Sequence, residues 1–273
     1  MRALPAILSC LVLTAACAAP TGPPSSAPAP VFPAGELVDL SHTFDGQTIY
    51  WPNAEPFELR TVADGVTDGG YYYAANSFFT AEHGGTHLDA PVHFAEGRQT
   101  TDQIPLERLI APAVVVDVTS ASARDADYLI TVDDITSFEA EHGEIAPGTI
   151  LLFRTGFSTR WPDAERYLGT AERGQEATAK LHFPGISPEA ASWVVANRQV
   201  AAVGIDTASI DYGQSTLFET HRTLFAENIP AFENLAQLDR LPATGAYLIA
   251  LPMKIGGGSG GPLRAVAVLP PAR

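Results

Sequence analysis

From residue 35 onward the chain alternates short aliphatic runs with segments that carry helix-start signals. Leu37-Val38-Asp39-Leu40 is the first such run, and others stand at residues 113–118, 148–154, 200–205, 247–251 and 263–269. Each has the length and the β-branched or aliphatic content of a strand. Between them, Ser187 to Asn197 is predicted to be helical, with Ser187 as cap and Pro188 in the first turn, and Thr216 to Glu227 is predicted as a second helix. The stretch from Trp161 to Lys180 is polar and helix-compatible, and reads as a peripheral insertion. No repeat and no heptad pattern is present, so the alternation predicts one mixed α/β domain over residues 35–273.

The first 34 residues follow a different plan. Residues 1–16 carry one charge, Arg2, then the apolar run Ala6 to Val12 and the small residues Ala15 and Ala16, which is the layout of a secretory signal. Cys17 comes next, and Leu13-Thr14-Ala15-Ala16-Cys17 resembles a bacterial lipobox, with Thr14 where the usual Leu stands. Pro20 to Pro33 is almost wholly Pro, Ser, Ala, Gly and Thr, a composition that builds a tether and not a core. The expectation is a signal peptide over 1–16, a lipidated Cys17 with a tether over 17–34, and a protein held at the cell envelope, periplasmic or on the outer surface. A signal peptide cleaved nearby, without lipid, is the alternative.

Composition narrows the chemistry further. An apolar fraction of 46% over 273 residues is enough for a real core. With 31 acidic residues against 16 basic ones and a formal charge of -15, the surface repels a phosphate backbone or an anionic bilayer, so nucleic acid is excluded as a partner and the lipid is the only expected membrane contact. Beyond Cys17 the chain has no cysteine, so any metal must be held by His, Asp and Glu.

Three of the seven histidines fall within eleven residues, in His83-Gly84-Gly85-Thr86-His87-Leu88-Asp89-Ala90-Pro91-Val92-His93-Phe94. Imidazole and carboxylate suit zinc or manganese, and a catalytic site needs about three protein ligands and one open position. His83, His87 and Asp89 supply three. Gly84 and Gly85 break any continuous helix, so a tight loop must bring the rings together, while His87 and Asp89, two apart, point the same way from an extended segment. His42 and His142 have no such context.

This segment resembles the His-x-Gly-Thr-His-x-Asp-x-Pro-x-His-Phe motif of the cyclase-like metal hydrolases, which include bacterial kynurenine formamidases and isatin hydrolases. The resemblance continues at residues 181–187, 204–211 and 250–255, and so spans the chain from about Val38 to Leu269. It implies a swivelling β/β/α domain with mixed sheets and flanking helices. It further implies that His83, His87 and Asp89 bind a first metal, that His93 shuttles protons, and that His221 and Glu233, twelve apart, complete a second site bridged by Asp89. One or two zinc or manganese ions are therefore expected. Trp51 matches an aromatic bordering the substrate pocket, His182 is a further candidate for substrate contact, and relatives of this kind are often dimers, so a homodimer is a candidate assembly.

The implied activity is hydrolysis of an amide, formyl-amide or cyclic amide, with lactones as a further class, in a small molecule. A metal at His83, His87 and Asp89 would lower the pKa of bound water and polarise the carbonyl, and His93 would move the proton to the leaving nitrogen. A tethered metal- or solute-binding lipoprotein is the alternative, but it has no use for His93 as a base. Gly257-Gly258-Ser259-Gly260-Gly261 mimics a nucleophile elbow, yet neither Asp nor His follows it in the chain as that fold requires. The same glycines lead into a strand and not a helix, so they read as a flexible turn and not a dinucleotide loop.

Overall fold

The computed structural model describes residues 35–270. The leader, Cys17 and tether expectations lie outside the described residues. Twelve strands follow one another: β1 (Leu37–Asp39), β2 (Glu58–Val66), β3 (Tyr72–Phe79), β4 (His87–Asp89), β5 (Ile110–Asp117), β6 (Leu129–Ile130), β7 (Ile150–Arg154), β8 (Gly185–Ile186), β9 (Ala202–Ile205), β10 (Ala231–Glu233), β11 (Ala246–Pro252) and β12 (Gly260–Val268). The main sheet runs β1-β12-β11-β5-β7-β9-β10-β4, and β4 also pairs with β12. That last pairing closes seven strands into a barrel-like ring. Strands β5, β7, β9 and β10 are mutually parallel, and the remaining neighbours are antiparallel. The architecture is α/β with a mixed sheet, as expected.

The central predicted runs became strands because both of their faces are covered. Along β7, Ile150 and Leu152 join one apolar cluster with Ala113, Val115, Leu88 and Phe232, while Leu151 and Phe153 join another on the opposite face. The second cluster is where the helices Val132–His142, Pro188–Asn197 and Glu219–Ala226 pack, through Ile135, Phe138, Val194, Leu224 and Phe225. Ser187 caps its helix as predicted, accepting the Ala190 N–H.

The fold departs from the sequence reading at several places. The stretch from Trp161 to Lys180 is not merely peripheral: it holds the short helix Ala164–Leu168, whose Tyr167 and Leu168 are buried in a third cluster with Phe157, Leu181 and Phe183. A hairpin of β2 and β3, absent from the prediction, pairs only with itself among the described residues and leaves both faces exposed.

Candidate functional site

β4 organises the site. It is three residues long and paired on both edges, with Glu233 opposite His87 on β10 and Gly260 opposite Asp89 on β12. Because side chains alternate along a strand, Leu88 enters the core with its neighbour Phe232, and His87, Asp89 and Glu233 share the other face. All three are buried. His221 reaches the same spot from the helix Glu219–Ala226, which packs across the 3₁₀ turn Pro91–His93. His83 arrives through the predicted loop: Gly85 takes φ +56°, and a Cβ on Gly84 would lie 2.0 Å from the Tyr50 ring. Only glycine permits that approach.

Three imidazoles share one arrangement. His87 Nδ1–H donates to the Gly85 carbonyl at 2.9 Å, and its Nε2 lies 3.0 Å from Asp89 Oδ1 and 3.5 Å from Glu233 Oε2. That Nε2 is fully buried and makes no hydrogen bond. His221 Nδ1–H donates to Asp211 Oδ2 at 2.6 Å, leaving Nε2 at 3.1 Å from Asp89 Oδ2 and 3.3 Å from Glu233 Oε1. His83 Nε2 contacts Ser259 Oγ at 2.9 Å, and its Nδ1 lies 2.6 Å from Asp89 Oδ1. Each ring is tethered at one nitrogen and aims the other at the paired carboxylates, as metal-ligating histidines are. The orphaned Nε2 of His87 is what a cation would complete, so the donor set fits a divalent ion. Donor atoms of His83, Asp89 and His93 lie within 4.8 Å of one another, and so do those of His87, Asp89 and Glu233.

These groups open into a cavity of about 340 Å³ whose other walls include Trp51, Phe94 and Phe218. Its size and aromatic lining suit a small cyclic or aromatic molecule.

Known proteins carry the same framework. The family model described as "Putative cyclase" matches residues 38–212. Isatin hydrolase of Roseibium aggregatum is 37% identical over 228 residues, 81% of this chain and 84% of the relative. Kynurenine formamidase of Salinibacter ruber is 30% identical over 237 residues, 84% of this chain and 96% of the relative. Isatin hydrolase A from Ralstonia solanacearum superimposes with a TM-score of 0.77 at 34% identity, covering 86% of this chain and 92% of that one. The chain is a cyclase-family metal-dependent hydrolase.

Electrostatics in the hydrolase site follow from burying two carboxylates beside the imidazoles. Burial opposes charge on His87, but Asp89 and Glu233 outweigh it and raise its pKa to about 9. Burial likewise opposes charge on His221, which Asp211, Asp89 and Glu233 hold well above the usual histidine range. Burial would raise Asp89, yet His83, His87 and His221 drive it well below the usual carboxylate range. Glu233, buried and next to ionised Asp89, is pushed up. His93 differs. Burial, opposed by Asp89 and reinforced by the charges of His83, His221 and His87, lowers it to about 3, so it stands neutral. Its ring stacks on His83 with centroids 3.8 Å apart.

The structure brings His83, His87, Asp89, His93, His221, Glu233 and Trp51 around one cavity of the hydrolase. His182 is a correction. Its Nδ1 pairs with Asp127 Oδ2 at 2.7 Å, the side chain is half exposed, and it does not line the cavity, because Leu181 and Phe183 on either side take the buried positions. Sequence reasoning missed Asp211, which accepts four hydrogen bonds around His221, although it stands inside the matched segment 204–211. It also missed Asn234, next to Glu233, whose amide donates to the Gly85 carbonyl that holds His87.

Proposed function

We propose that this hydrolase opens a cyclic or N-formyl aryl amide, with lactones as the related oxygen esters. The observation that carries the reading is the convergence of three tethered imidazoles on Asp89 and Glu233, with His93 lining the same cavity. A divalent ion bound there supplies Lewis-acid polarisation of the carbonyl and acidifies water. His83, His87 and Asp89 would hold a first ion, and His221 and Glu233 a second, with Asp89 available to both. The two Asp89 oxygens support that division, since Oδ1 faces His83 and His87 while Oδ2 faces His221. Zinc and manganese both suit nitrogen and carboxylate donors. His93 accepts the proton of the attacking water and returns it to the nitrogen as the C–N bond breaks, giving a carboxylate and an amine. Trp51, Phe94 and Phe218 hold the ring of the substrate. The likeness to an isatin hydrolase and a kynurenine formamidase supports an aryl amide substrate. Metal analysis of purified protein, followed by a hydrolysis screen over isatins, aryl formamides, cyclic imides and lactones, tests the reading. Absence of bound metal with no turnover of any class would overturn it.

The enzyme works as a homodimer joined through the β2–β3 hairpin. Leu59, Val62, Val66, Tyr71, Tyr72, Tyr73, Phe78 and Phe79 are all about half exposed or more. They lie on both faces of the hairpin, an apolar exposure that a partner would cover. A lone two-stranded hairpin is marginal in water and gains a partner by pairing with its copy. The composition of residues 1–34 supports export and anchoring at the cell envelope through Cys17. Mass spectrometry of the membrane fraction should find a diacylglyceryl group on Cys17, and a mature N-terminus elsewhere would end that part of the proposal.

A further inference from the structure

The glycine-rich turn between β11 and β12 takes no part in the chemistry above, and its serine is not a nucleophile. Ser259 instead contacts His83. Its Oγ–H donates to Glu82 Oε2 at 2.6 Å, and its backbone N–H donates to the same oxygen at 3.0 Å. A serine hydroxyl carries one proton, and here it is committed to Glu82. Ser259 Oγ can then only accept from His83, 2.9 Å away, which places a proton on His83 Nε2. Nδ1 is left as the atom facing Asp89 Oδ1.

The turn is not flexible, contrary to its sequence reading. The Ala90 N–H donates to the Ser259 carbonyl at 2.8 Å, Thr101 N–H to the Gly258 carbonyl at 2.9 Å, and Gly257 N–H to Asp102 Oδ1 at 2.9 Å. Thr101 Oγ1 reaches the carbonyls of both Gly258 and Gly260 at 3.1 Å. The glycines give room for this fit. A Cβ on Gly260 would lie 2.5 Å from His83 Cε1 and 2.6 Å from the Leu88 carbonyl oxygen, and one on Gly258 would lie 2.8 Å from Glu82 Oε1. The backbone at Gly260 is thus a seat for the His83 ring.

We propose that Glu82 and Ser259 are positioning residues for His83, fixing the ring's orientation and holding the proton on Nε2 so that Nδ1 is free for a metal ion. This rests on His83 being a ligand. Hydrogen-bonded partners behind ligating histidines are worth roughly 10–100-fold in metal affinity. The test is competition for Zn²⁺ between a chelator and the full-length wild-type, Ser259→Ala, Glu82→Gln and Asp102→Asn proteins, with thermal melts of each metal-free form to verify folding. Asp102→Asn loosens the same turn without touching the His83 relay. The expected result is a loss of roughly 10–100-fold in Zn²⁺ affinity for Ser259→Ala and a loss in the same direction for Glu82→Gln, with Asp102→Asn unchanged. Wild-type affinity in both relay variants, or an equal loss in Asp102→Asn, would overturn the inference and leave the metal site standing. A wild-type protein that binds no Zn²⁺ would remove the site and the inference together.

Discussion

Tyr167→Phe removes one oxygen atom from the centre of the molecule and should cost far more than its size suggests. The hydroxyl is fully buried and donates to Asn234 Oδ1 at 2.8 Å, with the Asp206 carbonyl at 3.2 Å. Burial and the nearby Asp206 and Glu233 raise its pKa well above the usual tyrosine range, so it remains a donor. Without it the Asn234 side-chain oxygen is left buried and unpaired, at a cost of about 1–3 kcal/mol. For a domain of this size each kcal/mol lowers the melting temperature by about 2–4 °C, so the variant should melt roughly 2–12 °C below the parent. The loss continues along a chain of contacts, since the Asn234 amide donates to the same Gly85 carbonyl that accepts His87 Nδ1–H. Calorimetry on chelator-treated protein measures the stability, and metal competition measures the effect on His87. A variant that melts within about 1 °C of wild type would refute the reasoning, because a buried amide without a partner cannot be that cheap.

Three further outcomes are expected. His42, stacked on Trp161 with centroids 4.0 Å apart, has its pKa lowered to about 4 by burial. The unfolded chain therefore binds a proton at higher pH than the folded one, and stability present above pH 6.5 is lost as pH falls toward 4, by up to roughly 2–3 kcal/mol; in denaturant titrations across that window His42→Phe should keep the stack and lose this slope, and equal slopes would contradict it. The double substitution Tyr72→Asp and Phe78→Asp on the exposed hairpin should convert the dimer to a folded monomer by light scattering, and an unchanged mass would move the interface elsewhere. His221→Ala should halve a two-ion metal content, whereas one ion in both proteins would mean that His221 and Glu233 hold none.

Five of the seven ring strands were legible as aliphatic runs, most plainly at residues 150–154 where both faces are buried, whereas β4 and β10, three residues each and carrying His87, Asp89 and Glu233, show no such run. The hairpin was not legible for the opposite reason: with neither face buried in the chain, Glu58–Val66 shows no alternation to read. The helix Val132–His142 carried a readable signal, the capping box of Thr131 and Asp134, that the sequence reading passed over. Within the site, His83, His87 and Asp89 announced themselves through local density. Partners from distant parts of the chain did not, since His83 and Ser259 are 176 residues apart and nothing in the sequence joins them. His182 illustrates the converse, a motif histidine whose neighbours are buried while its own ring faces out to Asp127.

The central claim is that His93 moves the proton while its neighbours hold the metal. Its ring lies within ligand reach of His83 and Asp89, so geometry permits either role. The direct measurement is metal content and turnover of His93→Ala on the best substrate, with Asp89→Ala as the variant that empties the site. The account predicts a metal content close to wild type in His93→Ala and a rate lower by roughly 10²–10⁴-fold. Loss of metal along with activity, or an undiminished rate, would contradict it.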